Sequence, residues 1–288
     1  MSRLPLYDRV ADQTATIVIQ EYSTSFGLAS RLLALNLRQH IANIYALVRI
    51  ADEIVDGGAA DAGLDLLAAG RALNEFELET HAALRSGYST NLLIHAYART
   101  ARECGFGEEL TAPFFESMRM DLSKTEHDQS SFDAYVYGSA EVVGLMCLKV
   151  FLLGWKGSDA DRLRLETGAR ALGAAFQKVN FLRDLAADFQ ELGRSYFPGI
   201  TVDAFAETDK NRLLDDVDAD LRTSAAVIPD LPASSRRAVV AAHDLFAELS
   251  HRLRRTPAES LVASRVRVPN PVKARIGLAA ALGGRARS

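Results

Sequence analysis

Two acidic stretches hold the residues best placed for chemistry. Asp52-Glu53-Ile54-Val55-Asp56 and, much later, Gln177-Lys178-Val179-Asn180-Phe181-Leu182-Arg183-Asp184-Leu185-Ala186-Ala187-Asp188 each set two aspartates four residues apart. On an α-helix that spacing puts both carboxylates on one face, one turn apart, where like charges cost an isolated helix about 0.2–0.5 kcal/mol. In the second stretch Gln177, Asn180, Asp184 and Asp188 form a continuous polar stripe, flanked by the apolar Val179, Phe181, Leu182, Leu185 and Phe189. Buried polar groups left unpaired cost roughly 1–3 kcal/mol each, so such a seam calls for a strong compensating ligand. In the first stretch Arg49 lies one turn before Asp52, and Tyr45 one turn before Arg49. A solvated helix face explains a single pair of this kind; two pairs with amide and guanidinium neighbours point instead to divalent cations. Carboxylate oxygens suit hard cations, and Mg²⁺ takes one or two carboxylates, keeps several waters and completes its shell with phosphate oxygens. Two sparse acidic helices facing each other therefore form a device for grasping a diphosphate. No P-loop or glycine-rich dinucleotide fingerprint is present, so a nucleotide is not the favoured diphosphate.

The elements that must position these groups are helices. Apolar residues recur at spacings of three and four almost throughout, strand alternation is nearly absent, and only eight prolines interrupt the chain. The pattern predicts helices over 8–21, 37–55, 62–86, 90–104, 108–123, 132–153, 159–192, 210–228, 234–254 and 271–282. The breaks carry glycine and proline, as in Asp56-Gly57-Gly58, Gly105-Phe106-Gly107 and Pro229-Asp230-Leu231-Pro232. With no linker between the acidic helices, the expectation is one all-α domain spanning residues 1–288, with an Ala/Gly/Arg-rich tail over 279–288 that frays. A chain of 288 residues, 48% apolar, has the length for a large core.

Composition narrows the function classes. Net charge is −4 and the 33 basic residues form no run interleaved with aromatics, so nothing indicates a nucleic-acid partner. Cys104 and Cys147 have neither disulfide-framework nor zinc spacing and are expected as buried free thiols. The first residues carry no apolar signal core, which favours a cytoplasmic location. The longest apolar stretch, Val142 to Trp155, is interrupted by Lys149 and falls short of the roughly 20 residues that cross a bilayer.

Several motifs in order resemble the squalene/phytoene synthase family over nearly the whole chain. They are Ser23-Thr24-Ser25-Phe26, Ala29-Ser30-Arg31-Leu32-Leu33, Arg38, and Tyr45 through Asp56; then Met118-Arg119-Met120-Asp121-Leu122 and Tyr135 to Met146; then Gln177, Asn180, Arg183, Asp184 and Asp188, followed by Gly193-Arg194-Ser195-Tyr196-Phe197-Pro198; and finally Ser264-Arg265-Val266-Arg267-Val268. The resemblance implies an all-α isoprenoid synthase bundle around an apolar tunnel, joining two prenyl diphosphates head to head. Metal at Asp52, Asp56, Asn180, Asp184 and Asp188, Mg²⁺ with Mn²⁺ as a substitute, would draw off a diphosphate and leave an allylic cation. The second substrate's double bond would attack that cation to give a cyclopropylcarbinyl diphosphate, which is ionised and rearranged; proton loss ends the phytoene branch without NADPH.

Arg49, Arg183 and Arg265 are implied diphosphate clamps, because guanidinium matches phosphate bidentately and stays charged. Ser23, Ser25 and Phe26 would sit at a helix entrance near the first diphosphate, where plain capping explains the serines almost as well. Gln177 joins the substrate-binding set; Tyr45 and Asp121 have core packing and helix capping as competing explanations. The chain departs from the family in carrying His127 and Phe246 where tyrosines are frequent. The expected function is phytoene synthesis from two geranylgeranyl diphosphates in carotenoid biosynthesis. Farnesyl diphosphate giving dehydrosqualene, squalene or hydroxysqualene is the alternative; an inactive assembly factor and a class I terpene cyclase are more distant. Long hydrocarbon substrates and products imply peripheral contact with the inner face of the cell membrane, and a downstream desaturase as partner.

Overall fold

The computed structural model describes residues 3–23, 25–192, 195–201, 204–284 and 286, the side chains of 25–26 and 186–192 excepted. Among the described residues there is no strand, only an isolated bridge between Glu126 and Ser195. The helices are α1 (Leu4–Tyr22), α2 (Ser25–Ser30), α3 (Leu35–Val55), α4 (Gly58–Asp61), α5 (Leu66–Ser86), α6 (Leu92–Cys104), α7 (Glu108–Ser123), α8 (Gln129–Val136), α9 (Val142–Phe151), α10 (Asp159–Leu192), α11 (Glu207–Val227), α12 (Ala233–Arg255), α13 (Ala258–Leu261) and α14 (Asn270–Ala281). A π-helical segment, Tyr137–Glu141, joins α8 to α9.

Local chemistry sets the ends. The predicted helix over 62–86 starts instead at Leu66, because Asp65 turns extended and its carboxylate accepts the Ala68 N–H at 2.7 Å. Asp128 does the same for Ser131 N–H at 2.7 Å, starting α8 before the predicted Phe132. Gly87 and Gly105, with φ of 80° and 73°, close α5 and α6 in the left-handed region that L side chains avoid. At the C-terminal end α14 runs into the tail expected to fray: Ala280 is buried against α12, while Arg285, Arg287 and Ser288 lie outside the described residues.

Three apolar clusters form the core. One gathers α3, α5, α6, α7 and α9; a second gathers α8, α10 and α11 with Tyr196, Phe197, Ile200 and Phe205; the third joins α2, the Ile228–Leu231 turn, α12 and α14. The continuous stretch Gln129–Phe151 is, by length and composition, apolar enough to cross a membrane; here it packs on α3, α7 and α10. Its approach to α10 is backbone to backbone. A Cβ on Gly144 would come within 2.5 Å of Ala169 O, and one on Gly173 within 2.5 Å of Ala140 O. Cys104 and Cys147 are free thiols, buried and half-buried, and burial pushes each up to about 12.

Candidate active site

An apolar cavity of about 240 Å³ lies between α2, α3, α9, α10 and α12. The wall contributed by α10 consists of Leu165, Gly168, Ala169, Leu172, Gly173, Phe176 and Gln177, a stripe at helical spacing. From Gln177 the same face continues through Asn180 to Asp184. On α3, Ile41 and Val48 line the cavity, and Asp52 follows Val48 by one turn. Asp52 and the stripe from Gln177 to Asp184 thus continue two helix faces that line the cavity.

The first acidic helix is electrostatically tense. Asp52 is half-buried and Asp56 exposed. Burial pushes the Asp52 carboxyl well above the usual carboxylate range, Asp56 and Asp121 push it further, and Arg49 opposes them. Arg49 pairs with Glu53 one turn along α3 and lies over the Tyr22 ring, 4.7 Å from its centre. Although burial works against its charge, Glu53 and Asp52 hold it above its ordinary value, and its Nε is buried without a hydrogen-bond partner. Tyr45 bonds the Ser23 side chain, and burial raises its pKa. Ser23 Oγ also accepts the Gly27 N–H at 3.1 Å, the capping arrangement weighed for it in the sequence. Thr24 and the side chains of Ser25 and Phe26 lie outside the described residues.

On the second acidic helix Asp184 is bound by two of the three candidate clamps. Arg183 Nε donates to it at 2.9 Å and Arg265 Nε at 2.7 Å, bringing the strip after α13 against α10. Asn180 Oδ1 is buried and accepts no hydrogen bond. An orphaned acceptor beside a carboxylate that now holds two cations fits a hard divalent ion, and those donors suit Mg²⁺. The Asp188 side chain, with Gly193 and Arg194, lies outside the described residues. Among the described residues, which leave out the Asp188 side chain, no three His, Cys, Asp or Glu side chains gather on one point.

Sequence reasoning underrated Asp121. It is buried on α7 and accepts hydrogen bonds from Tyr135 Oη at 2.8 Å and Tyr196 Oη at 3.1 Å. Burial first, then Asp121, raises the Tyr135 phenol well above its usual range, which keeps it a donor. Tyr196 stacks on Phe181 of α10 at 4.0 Å, linking this carboxylate to the second acidic helix. His127 stacks on Tyr196 at 5.9 Å, and burial lowers its pKa, so it is a neutral ring in an aromatic cluster. Phe246 stacks on the cavity-lining Phe176 at 3.6 Å. The signal available for Asp121 was its place in Met118–Leu122; its tyrosine partners, 14 and 75 residues on, had none in local spacing.

Comparison with known proteins agrees with this geometry. The family model described as squalene/phytoene synthase matches residues 19–271. The chain is 28% identical to a 15-cis-phytoene synthase from Paracoccus sp. (strain N81106 / MBIC 01143), covering 92% of this chain and 88% of that one. It is 35% identical to phytoene synthase 3, chloroplastic, of Zea mays over 63% of this chain, and spans 41% of that longer protein. In fold it is similar to a dehydrosqualene synthase solved with a ligand, at a TM-score of 0.80 and 20% identity, covering 97% of this chain and 98% of that one. It is also similar to squalene synthase HpnC from Alicyclobacillus acidocaldarius, at 0.74 and 21%, covering 87% of this chain and 95% of that one. An all-α bundle and a family match across most of the sequence agree: the chain belongs to the squalene/phytoene synthase family, whose members are prenyltransferases that condense prenyl diphosphates.

Proposed function

We propose that this protein condenses two geranylgeranyl diphosphates head to head to phytoene, the expected C20 branch of the family. The observation that carries the reading is the similarity to a 15-cis-phytoene synthase over 92% of this chain, and the α10 wall is long enough for a prenyl chain. Along α10 the cavity lining runs from Gln177 to Leu165, 12 residues or about 18 Å at the rise of an α-helix. With carbon–carbon bonds of about 1.5 Å, an extended five-carbon unit is roughly 5 Å, so a C20 chain is about 20 Å and a C15 chain about 15 Å. The wall falls between those two lengths: it accommodates a long prenyl chain, and the choice of C20 rests on the relatives. The relatives named phytoene synthase support the same reading.

In this reading Asp52, Asp56, Asn180, Asp184 and Asp188 would hold Mg²⁺, with Mn²⁺ a substitute, which would supply a Lewis acid for the leaving diphosphate oxygens. Arg49, with its open Nε, receives a phosphate oxygen. Arg183 and Arg265 exchange Asp184 for the diphosphate, two guanidinium groups set for bidentate contact. Ser23, Ser25, Phe26 and Tyr45 border the first diphosphate, and Gln177 marks the passage from polar seam to apolar wall. Tyr135 and Tyr196 donate to Asp121 and orient it near Asp52. Leu172, Phe176 and Val48 exclude water from the cationic carbons. The closing step is proton loss, so no reductant is required. The hydrocarbon product passes to an apolar phase, consistent with a cytoplasmic enzyme at the inner membrane face supplying a desaturase.

Incubating the purified protein with Mg²⁺ and either geranylgeranyl or farnesyl diphosphate, with and without NADPH, and separating the lipids by chromatography tests the reading. A C40 hydrocarbon formed without NADPH is expected. Turnover confined to the C15 substrate overturns it.

A further inference from the structure

Charge is distributed unevenly along this chain. Residues 22–51, 231–243 and 260–288 contain no acidic side chain, so all 37 acidic residues of a chain with net charge −4 lie elsewhere. The structure packs these three segments together. Helix α12 lies against both α14 and α2, Gly277 of α14 faces Leu28 of α2, and Ala34 N donates to Ser234 O at 2.9 Å, tying the start of α3 to that of α12. Arg31, Arg38, Arg236, Arg237 and Arg275 are exposed there. None of the five pairs with a carboxylate among the described residues. Arg38 donates to the Leu33 and Arg31 carbonyls and Arg236 to the Leu231 carbonyl, neutral partners that fix each side chain without cancelling its charge. Asp244 and Glu248, the next acids along α12, are buried.

The same elements expose large apolar side chains. Leu278 on α14 and Leu282 at its C-cap, four residues on, are 62% and 80% exposed, and Leu35 at the start of α3 is 79% exposed. Arg275 sits one turn before Leu278 on that face. Beneath it, Ala29, Ser30 and Leu33 of the α2 region and Ala238 and Val239 of α12 line the apolar cavity.

We propose that this face, made by α2, the start of α3, the start of α12, and α14, docks the protein on an anionic lipid bilayer. Arginines without carboxylate partners complement a negative surface, each contributing about a fivefold gain in partition, and the leucines enter the headgroup boundary. The docked face is a wall of the cavity, so the apolar interior and the lipid lie on opposite sides of one thin layer of helix. The inference concerns binding and does not depend on which prenyl chain is used.

The test is flotation of the full chain with vesicles of phosphatidylcholine alone and of phosphatidylcholine with about a third phosphatidylglycerol. The protein floats with anionic vesicles at low salt and is largely released near 1 M salt, where the Debye length is about 3 Å. Arg237→Gln with Arg275→Gln weakens partition about 30-fold, and Leu278→Ser with Leu282→Ser removes the part that resists salt. Both pairs are exposed and keep the wild-type melting curve; if one pair unfolds, Arg31→Gln carries the charge test. Failure to float with anionic vesicles at low salt overturns the proposal, as does equal partition of wild type and folded variants. Tighter capture by a short DNA duplex than by anionic vesicles reassigns the face to nucleic acid and overturns the lipid assignment.

Discussion

Asp52→Asn should make the metal-free protein more stable and the enzyme inactive. Burial, Asp56 and Asp121 all disfavour the charged Asp52 carboxylate, and only Arg49 opposes them. A like charge at the i,i+4 spacing is worth about 0.2–0.5 kcal/mol, and more where water is excluded, so removing the Asp52 charge relieves about 0.5–1 kcal/mol net of the lost attraction to Arg49. For a chain of this size that raises Tm by about 1–4 °C. The sign with pH follows from the raised folded value. Relative to the unfolded 3.8, the folded state binds this proton more tightly, so stability from this group is present at low pH and lost as pH rises through the folded pKa. Variant and wild type should therefore melt together near pH 4 and separate toward neutrality. The assay is thermal melting in EDTA across that range, repeated with Mg²⁺ and diphosphate, alongside turnover. Wild type gains Tm with the ligands and the variant gains little. A variant that melts below wild type in EDTA at neutral pH refutes the electrostatic reasoning; one that keeps near-normal turnover refutes the metal assignment.

Ala169 faces the cavity about 12 Å along α10 from Gln177, so Ala169→Phe should suppress C20 turnover more than C15 turnover, read from product chromatography with each diphosphate. Lys210 is buried, with Nζ donating to Thr256 O at 2.6 Å and Arg254 O at 3.1 Å; Lys210→Ala strands those carbonyls, costs about 2–4 kcal/mol by urea unfolding, and leaves kcat per folded molecule unchanged. Tyr135→Phe removes one of two phenol donors to Asp121 and should cost about 1–2 kcal/mol of stability together with a drop in kcat. Burial lowers the His40 pKa below its unfolded value of 6.5, so the unfolded state binds this proton more readily and stability falls as pH drops through that value; His40→Gln should flatten the decline in melts between pH 7.5 and 5.

Much of this site was legible because its signals are local. Asp52 and Asp56, and the stripe from Gln177 to Asp184, share helix faces by spacing alone, and the breaks at Gly87 and Gly105 follow from glycine's freedom at positive φ. What escaped depends on contacts or on elements too short to show a period. Helix α2 has six residues, and Asp65 moved the start of α5 by competing with helix for a backbone N–H. The π segment at Tyr137–Glu141 has no signature in apolar spacing. Arg49 was aligned with Asp52 in sequence, yet pairs with Glu53, where the i,i+4 geometry is better. The carboxylate-free face, scattered over three segments, became one surface only when α12 brought α2 and α14 together.

In the proposed reading helix α10 carries the ligands for the charged head and the wall for the hydrocarbon tail on one rod. Head and tail are thus in fixed rotational phase, because one helix face serves both. Inserting or deleting a single residue between Leu165 and Gln177 would turn one half about 100° relative to the other. The wall would then face a neighbouring helix while the acidic seam still faced the cavity. Chain length in this scaffold can be retuned by exchanging side chains of different size, but the spacing of α10 itself is locked by the chemistry at its end.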